Sequence, residues 1–534
     1  MNTHPSIAIL GVPFDNVTTS EALDRIDQMI ISRKPHYLAT ANVDFLVKAR
    51  EDVELRRILF DADLVLCDGT PLLWVSRFLG NPLPERVAGA DVVPRLMQLA
   101  AERKYRIFLL GATPDSVARA ADNLLDANPE LNIVGYYSPP FNKLIEMDHE
   151  EIKHRIATAR PDVLLVSFGC PKQEKWIAMH YRDLGVPVAA GVGATIDFLA
   201  GKIPRAPIWM QHSGLEWIYR LIQEPRRLFR RYIKDLWIFS WSILAQWSAL
   251  QLRINRSYPT PNTKLFSSNC SRHAPHQIVL CAARLDSAAD VDALQTADII
   301  ADGRDCFLKM AGVTSIDSTG VGYLIGLQKK LRSTGCQLVL IAPSKPVRRA
   351  LKLLRINEFF FSAADLPAAQ YLLQVRAREQ STTVTLRTAA AVTPLVWHGE
   401  ITAANAGHVW ESTREYLESP KAERDLALDL SGVRFIDSSG LSLLIRAKKL
   451  ARQQGGKLVF RGVQPAVKNV IQISHLNEFL QDDEADPNSL PKHPPTWRDV
   501  FTLPDAGATP AGIFGAAQNT IEPVTNPVFA TSHE

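Results

Sequence analysis

The second half of the chain contains an internal repeat, and this repeat limits the possible folds most strongly. Residues 311–341 match residues 431–461 without a gap, and the same offset of 120 residues aligns Asp317 with Asp437 and Gly320 with Gly440. A gapless match of this length predicts two copies of one domain rather than a solenoid of short repeats. Each copy reads as strand, Ile-Asp-Ser turn, helix, strand and helix, with a preceding helix near residues 291–301 in the first copy and 404–417 in the second. We therefore expect two small α/β domains.

The first 200 residues alternate short apolar runs with amphipathic segments. The runs predicted to be buried strands are 7–10, 106–111, 162–169 and 186–193. A helix is predicted over residues 20–32, and another begins near Pro114. Strands that alternate with helices in this way predict a doubly wound parallel sheet. The predicted fold class is therefore α/β, with an N-terminal parallel-sheet domain followed by two smaller α/β domains.

Composition excludes several classes of protein. A length of 534 residues predicts two to four domains, and a net charge of +4 is too small to predict nucleic-acid binding. The six cysteines form no CxxC pair, which argues against a zinc site or a disulfide framework and suits a reducing compartment. No signal peptide is evident, and the longest apolar run, residues 236–250, is too short to span a bilayer comfortably. These features predict a cytoplasmic protein.

Apolar runs stop abruptly at polar residues near the N-terminal end of the chain. Thr40 and Asn42 follow one run, and Asp68 follows the next. Ligands of parallel α/β sheets bind in the crevice at the carboxyl ends of the strands. We therefore expect Thr40, Asn42 and Asp68 to surround one active site together with Arg86 and Asp91.

From residue 6 to about residue 235 the chain resembles the WecG/TagA/CpsF family of bacterial glycosyltransferases. The segments that carry the resemblance, in chain order, are TANVDFL, ADLVLCDGTPLLW, LPERVAGADVV, FLLGATPD, PDVLLVSFGCPKQEKWI, GVGATIDFLAGKIPRAP and GLEWIYRLIQEPRRLFRRY. The resemblance implies inverting transfer of an N-acetylmannosamine-type sugar from UDP to a lipid-diphosphate-linked sugar. It thus implies a UDP-N-acetylhexosamine donor and a polyprenyl-diphosphate-linked acceptor.

Asp68 matches the family's candidate catalytic base, and Thr40 and Asn42 match the polar residues beside it. An inverting transfer needs a carboxylate to take the proton of the attacking hydroxyl. The alternative is a turn carboxylate, because Asp68 precedes Gly69 and Asp-Gly is a common turn pair.

Glycine-containing turns after predicted strands are candidate binding sites for the diphosphate of the donor. Backbone amides at such turns, where helices begin, bind phosphate oxygens. The predicted positions are Gly111, Gly191 and Gly193, and Lys172 and Gln173 are candidate side-chain donors. The alternative for each glycine is a tight connection without a ligand.

The Asp61-Ala62-Asp63 triplet has the DxD form that binds a metal in many glycosyltransferases. It ends a predicted helix, and the family that the chain resembles does not depend on a metal. We therefore expect helix-end and turn carboxylates, no metal site and no cofactor.

Residues 202–235 contain eight Lys or Arg against three Asp or Glu, interleaved with aromatic residues, and an apolar segment follows. This pattern predicts that residues 205–250 lie on a membrane surface; the alternative is a helix packed on the sheet. The resemblance implies that this appendage closes over the site, so Arg220, Arg227 and Arg230 are candidate diphosphate ligands, as is Arg86. The alternative for each arginine is an ion pair with Glu216 or Glu224.

No stacking platform accompanies the basic segment, which argues against binding of nucleic acid.

The repeated turns, Ile316–Gly320 and Ile436–Gly440, resemble the STAS domain of anti-sigma-factor antagonists. The resemblance implies that Ser318 and Ser438 are phosphorylated by a partner kinase, and an exposed hydroxyl at a strand-to-helix turn fits that role. The alternative is that each serine caps its helix.

The predicted domains are a transferase core (1–200), an appendage (201–250), a linker (251–275), two STAS-like domains (276–375 and 390–482) and a disordered tail (483–534). The predicted function is that of the transferase, peripheral at the inner face of the membrane, with STAS modules for regulation or partner recruitment. The alternative is a STAS-based signalling adaptor with an inactive transferase domain; Asp68→Asn would be silent in it.

Overall fold

The computed structural model describes residues 6–207, 209–210, 215–223, 225–250, 266–268, 276–281, 284–286, 299, 302–381, 384–386, 395–418, 425–474 and 476. These residues belong to one compact unit. The predicted tail and the helix expected near residues 291–301 lie outside them, apart from residue 299. We call residues 6–250 the N-terminal domain, 266–381 the first repeat domain and 384–476 the second repeat domain.

A six-stranded parallel sheet forms the centre of the N-terminal domain. Its strands follow the order β4-β3-β8-β7-β5-β6, beside a two-stranded antiparallel ribbon, β1-β2. The strands are β1 Ile7–Ile9, β2 Val12–Phe14, β3 His36–Ala41, β4 Leu64–Cys67, β5 Arg106–Gly111, β6 Asn132–Tyr137, β7 Val163–Ser167 and β8 Val188–Gly191. The helices are α1 Thr19–Ser32, α2 Val43–Glu51, α3 Val53–Asp61, α4 Thr70–Phe78, α5 Gly89–Arg103, α6 Pro114–Ala127, α7 His149–Ala159, α8 Lys172–His180, α9 Thr195–Leu199, α10 Glu216–Gln223 and α11 Pro225–Leu250, with a 3-10 turn at Leu144–Glu146.

Helices cover both faces of this sheet. Successive residues of β3 point to opposite sides, so Leu38 belongs to the apolar cluster with α1, α5 and α6, while Ala39 belongs to the cluster with α2, α3 and α8. Both faces are buried, which explains why the strands read as continuous apolar runs. The predicted doubly wound parallel sheet is confirmed, although the first predicted strand, residues 7–10, forms the antiparallel ribbon rather than part of that sheet.

The first repeat domain contains a mixed five-stranded sheet of order β15-β14-β12-β10-β9 and a small β11-β13 pair. Its strands are β9 Phe266–Ser268, β10 His276–Cys281, β11 Arg284–Leu285, β12 Asp305–Lys309, β13 Ser315–Ile316, β14 Leu338–Ile341 and β15 Phe361–Ala363. Its helices are α12 Ser318–Ser333, α13 Lys345–Leu353 and α14 Leu366–Ser381, with a 3-10 turn at Asn357–Phe359. Strand β9 pairs antiparallel with β10, so part of the expected linker forms a sheet edge instead.

The second repeat domain contains a four-stranded sheet of order β16-β17-β18-β19. Its strands are β16 Val384–Leu386, β17 Leu395–Ile401, β18 Asp425–Ile436 and β19 Lys457–Arg461, and its helices are α15 Ala406–Glu418, α16 Ser438–Gln453 and α17 Pro465–Ile473. Helices α12 and α16 begin at equivalent positions of the repeat. The prediction of two smaller α/β domains is confirmed.

Candidate active site

Asp68 lies where β4 ends, at the carboxyl edge of the parallel sheet. Its backbone N–H donates to the Ala41 carbonyl at 2.9 Å, which extends the β3–β4 ladder by one residue. Gly69 then precedes α4, and a Cβ at Gly69 would lie 3.8 Å from Cβ of Asn42. The chain therefore brings Asn42 and Asp68 together, as the two strand ends predict.

The surroundings of Asp68 shift its titration toward neutral pH. The side chain is half-buried, and loss of water raises the pKa of Asp68 to about 6. The positive charges of Arg86 and Arg220 oppose this rise, whereas Glu216 and Asp91 add to it. A carboxylate with a pKa just below neutral is mostly ionised at pH 7 and still basic enough to accept a proton.

Thr40 and Asn42 use their polar groups to position the site. The Thr40 hydroxyl donates to the Gly191 carbonyl at 3.1 Å and so ties β3 to the end of β8. The Asn42 side-chain carbonyl accepts from the Phe45 N–H and caps α2. A Cβ at Gly89 would lie 3.5 Å from Thr40, so the first turn of α5 also packs against this strand end.

Two arginines and two carboxylates form a network beside Asp68. Arg86 contacts Asp91 and Glu216, each at 2.7 Å, through different guanidinium nitrogens. Arg205 contacts Asp91 at 2.7 Å and Glu216 at 3.9 Å. The structure thus places Arg86 in the ion-pair alternative rather than as an open phosphate ligand. The network fastens α10 to the carboxyl edge of the sheet. Sequence reasoning missed Arg205, although its KIPRAP segment had matched the family.

Arg220 lies near this network, with its guanidinium 4.7 Å from the ring centre of Phe198. Its positive charge lowers the pKa of Asp68 and so opposes the effect of burial. Arg230 lies in α11 and is exposed, and for Arg227 only the position in α11 is described. Of the three appendage arginines, the structure brings Arg220 to the site.

The glycine turns lie along the same edge of the sheet. Gly111 has φ of +101°, and a Cβ there would lie 2.4 Å from the Ser167 carbonyl, which makes glycine necessary. The Ser167 hydroxyl donates to the Gly193 carbonyl at 2.6 Å. Thr113 caps α6, whose first turn therefore points its N–H groups to this edge. Gly111, Gly191 and Gly193 consequently form one row with Thr40.

The structure corrects the expectation for Gln173. Its side chain is buried; its carbonyl accepts from the Gly169 N–H at 3.1 Å, and its amide donates to Glu174 at 2.7 Å. Both polar groups of Gln173 are thus used within the protein to hold the turn after β7. The amide therefore does not point toward the proposed diphosphate position. Lys172, in contrast, is half-buried at the rim, where its ammonium donates to the Asn142 carbonyl at 2.6 Å.

The Asp61-Ala62-Asp63 carboxylates lie at the opposite, amino end of the strands. Asp63 accepts from the N–H of Tyr37, the second residue of β3, at 2.9 Å. Asp61 pairs with Arg57 at 2.7 Å and with Arg332 of the first repeat domain at 2.8 Å. Both carboxylates therefore have structural partners, as the turn reading predicts. Within the described ranges, no three metal-binding side chains of His, Cys, Asp or Glu come together.

Helix α11 is divided lengthwise into a buried side and an exposed apolar side. Phe239, Ile243, Gln246 and Leu250 are buried. The exposed apolar side chains are Phe229, Ile233, Leu236, Trp237, Trp241 and Leu244. Basic residues flank this stripe at the N-terminal end of the helix. In the part of the chain that the structure describes, no helix has the length and apolar character needed to cross a membrane.

Ser318 and Ser438, the serines of the two repeated turns, are buried against the N-terminal domain. The expectation of exposed hydroxyls is therefore wrong. Ser318 is 0% exposed and accepts from the Gln246 side-chain amide at 2.8 Å. Ser438 is 5% exposed and donates to Glu54 at 2.9 Å. Neither serine caps its helix. Asp317 does so by accepting from the N–H groups of Thr319 and Gly320, and Asp437 accepts from the equivalent two groups of the second repeat. The capping alternative is therefore wrong.

Comparison with known proteins matches three regions of the chain to family models. The model described as "Glycosyl transferase WecG/TagA/CpsF family" matches residues 7–253. The model "STAS domain" matches residues 284–369, and "Mlab, STAS domain" matches residues 384–482. The three ranges correspond to the N-terminal domain and the two repeat domains, and the first STAS match covers the central part of its domain.

Two curated relatives resemble the N-terminal half, and both are called N-acetylglucosaminyldiphosphoundecaprenol N-acetyl-beta-D-mannosaminyltransferase. The protein of Staphylococcus aureus strain MW2 is 29% identical over 239 residues, which are 44% of this chain and 91% of the relative. The protein of Bacillus subtilis strain 168 is 31% identical over 220 residues, which are 41% of this chain and 84% of the relative.

Proposed function

The chain belongs to the WecG/TagA/CpsF family of glycosyltransferases, and we propose that it moves an N-acetylmannosamine-type sugar from UDP to a polyprenyl-diphosphate-linked sugar. The observation that carries this proposal is the Asp68 carboxylate at the carboxyl edge, with its pKa raised to about 6. The names of the two relatives support the sugar and the acceptor.

In the proposed reaction Asp68 removes the proton of an acceptor hydroxyl as that oxygen attacks the anomeric carbon of the donor sugar. A bond forms between the acceptor oxygen and the anomeric carbon, and the bond from that carbon to the UDP oxygen breaks. UDP leaves with the electron pair, and Asp68 holds the proton. Displacement from the opposite face inverts the anomeric centre.

The row of strand-end turns is the proposed place for the diphosphate. Backbone N–H groups at Gly111, Gly193 and the first turn of α6 lie at one edge, where helix N-termini favour anions. Lys172 at the rim adds a cation to this edge. The proposal includes no metal, and Asp61 is already paired with two arginines.

The test is UDP release by the full-length protein, with UDP-N-acetylhexosamines and a lipid-diphosphate-linked acceptor, with and without EDTA. Asp68→Asn is expected to lower the rate by about 10²–10⁴-fold, because the amide cannot accept the proton. Asp122→Asn, at an exposed carboxylate of α6, is the matched control and is expected to keep full activity. Equal rates for Asp68→Asn and wild type would remove Asp68 as the base.

The pH profile provides a second readout of the same proposal. Because the base must be ionised, kcat/KM is expected to fall as pH decreases through about 6 and to level off above it. A rate that is independent of pH between 5 and 8 would contradict the role of Asp68.

We also propose that the exposed stripe of α11 lies on the membrane that carries the acceptor. Aromatic side chains beside basic residues bind the interface of an anionic bilayer. Replacing Trp237 and Trp241, 76% and 70% exposed, by serine is expected to reduce sedimentation with anionic phospholipid vesicles. Tyr371→Ser, at a 69% exposed aromatic of α14, is the control; equal loss in both variants would contradict a specific membrane face.

The STAS domains are proposed to regulate the transferase, with Ser318 and Ser438 as the positions for a serine kinase. The adaptor alternative is less well supported, because Thr40, Asn42 and Asp68 are retained and an inactive transferase would be expected to lose such polar residues first. Both serines are buried against the N-terminal domain, so phosphorylation requires that each first leaves its contact there. Intact mass after incubation with ATP and cell extract tests the phosphorylation.

A further inference from the structure

We propose that the polyprenyl chain of the acceptor binds along an apolar track formed by Trp74, Phe78 and Trp247. The track leads from the end of α4 that lies beside Asp68 to the exposed stripe of α11. The inference rests on the proposed function, because it concerns the lipid of the proposed acceptor. It goes beyond the membrane contact of α11, since it assigns a binding site to the chain itself.

Helix α4 connects the reaction site with α11. It begins at Thr70, two residues after Asp68, and ends at Phe78. Trp74 and Phe78 follow Thr70 at intervals of four residues, so all three lie on one face of the helix. The rise of an α-helix places Phe78 about 12 Å along the axis from Thr70. The face of α4 that carries the track therefore starts next to Asp68.

The two aromatic side chains of α4 are open to solvent. Trp74 is 55% exposed and Phe78 is 44% exposed. The other side of α4 carries Leu72 and Leu79, which are buried in the same apolar cluster as Phe239 of α11. One core thus fixes both helices, and the aromatic face of α4 is left uncovered. Contact of large rings with water is unfavourable, and an apolar ligand that covers them removes this cost.

The track continues onto α11. The ring of Phe78 stacks on that of Trp247, with the ring centres 5.2 Å apart and the planes 27° from parallel. Trp247 follows Leu244 by three residues, so the two are neighbours on the helix surface. Leu244 is 52% exposed and is the last member of the exposed apolar stripe of α11. The apolar surface is therefore continuous from Trp74 to the proposed membrane face.

The position of the track favours the polyprenyl chain as its occupant. In the acceptor named for the two relatives, one sugar separates the diphosphate from the attacking hydroxyl, so the chain begins near Asp68. Arg220, whose charge acts on Asp68, supplies a cation for the diphosphate at this point. From there the chain needs an apolar path to the bilayer. Contact of α11 with bulk lipid alone does not account for exposed rings that lead back to Asp68.

The experiment compares two acceptors with the full-length protein in detergent. Both carry an N-acetylglucosaminyl diphosphate head group, one on an undecaprenyl chain and the other on a dimethylallyl chain too short to extend along the track. Trp74→Ser is expected to raise KM for the undecaprenyl acceptor about fivefold, and Trp74→Ser with Phe78→Ser about tenfold or more, because aromatic contacts to the chain are lost. KM for the dimethylallyl acceptor and both kcat values are expected to stay within about twofold, since Asp68 is not displaced.

Tyr136→Ser is the matched control. Tyr136 is a 49% exposed aromatic of β6, at the opposite edge of the sheet from β4, and its substitution is expected to change neither KM. An equal rise of KM for both acceptors in the Trp74 and Phe78 variants, or no rise for the undecaprenyl acceptor, would overturn the track. An unchanged KM with weaker sedimentation on acceptor-free anionic vesicles would identify bulk lipid as the occupant. An unchanged KM with a smaller oligomeric mass would identify a second copy of the chain. Either of these results also overturns the proposal.

A binding measurement separates the track from the proposed function. Calorimetric titration with undecaprenyl diphosphate and with dimethylallyl diphosphate, in the same detergent, requires no sugar transfer. The wild-type protein is expected to bind the undecaprenyl compound more tightly, and the double variant is expected to lose about tenfold of that affinity. If the wild-type protein transfers no sugar and still shows this difference, the proposed function fails and the track stands as a polyprenyl site. Equal affinity of the wild-type protein and the double variant would overturn the track.

Discussion

The first repeat domain shares an apolar cluster with helix α3 of the N-terminal domain, whereas Ser438 of the second repeat domain contacts the same helix through hydrogen bonds to a carboxylate. Phe60 of α3 is 0% exposed, with its ring 5.1 Å from Phe359 and 5.6 Å from Phe360, in one apolar cluster with the core of the first repeat domain. Six residues earlier in the same helix, Glu54 accepts hydrogen bonds from Ser438. A single helix therefore supports two docking surfaces of opposite chemistry.

The closeness of helix α12 to strand β1 depends on one glycine. A Cβ at Gly322 would lie 1.9 Å from the Ser6 carbonyl, so the helix and strand touch through backbone. The equivalent residue of the second repeat is Ser442. Only the first repeat has the small residue that permits this contact, and its docking is correspondingly tight.

The equivalent serines of the two repeats, Ser318 and Ser438, also differ in the chemistry of their partners. Ser318 contacts the neutral amide of Gln246, which also donates to the Ala8 carbonyl and accepts from the Leu10 N–H. Ser438 contacts the carboxylate of Glu54. The same turn thus contacts a neutral amide in one copy and a carboxylate in the other.

The largest expected effect on stability comes from removing the Phe60 ring, which packs between the N-terminal domain and the first repeat domain. Phe60→Ala is expected to lower the free energy of unfolding by about 3–5 kcal/mol, because a large buried ring leaves a cavity between two domains. Urea denaturation measures it. Phe141→Ala, at a 77% exposed ring, is the control and is expected to change it by less than about 0.5 kcal/mol. If Phe60→Ala lowers the free energy of unfolding no more than the control does, apolar packing around Phe60 does not hold the first repeat domain in place.

Alanine substitutions at two glycines of α12 are expected to change the stability of the protein by smaller amounts and in opposite directions. Gly322→Ala is expected to cost about 1–3 kcal/mol, since the added methyl group forces the helix away from β1. Gly326→Ala meets nothing within 4 Å and is expected to stabilise the helix by about 0.5–1 kcal/mol. Thermal unfolding of the pair measures both. If both substitutions stabilise, the close approach does not hold the first repeat domain in place.

Much of the fold could be predicted because its signals are local. Buried strands flanked by turn residues, such as Arg106–Gly111, occur where the sequence predicts them. Asn42 and Asp68 come together because parallel strands end at one edge. Gln173 could not be placed in advance, because its orientation depends on the distant Gly191 and on the buried Glu174.

The sequence by itself determined the three domains, their α/β class and the polar strand ends around Asp68, since periodicity and turn residues act over short distances. Tertiary structure alone decided that Arg205 joins the network of Arg86, and that Ser318 and Ser438 are buried on the N-terminal domain. Their partners, Gln246 and Glu54, lie 72 and 384 residues away in sequence, so only packing of the folded domains selects them.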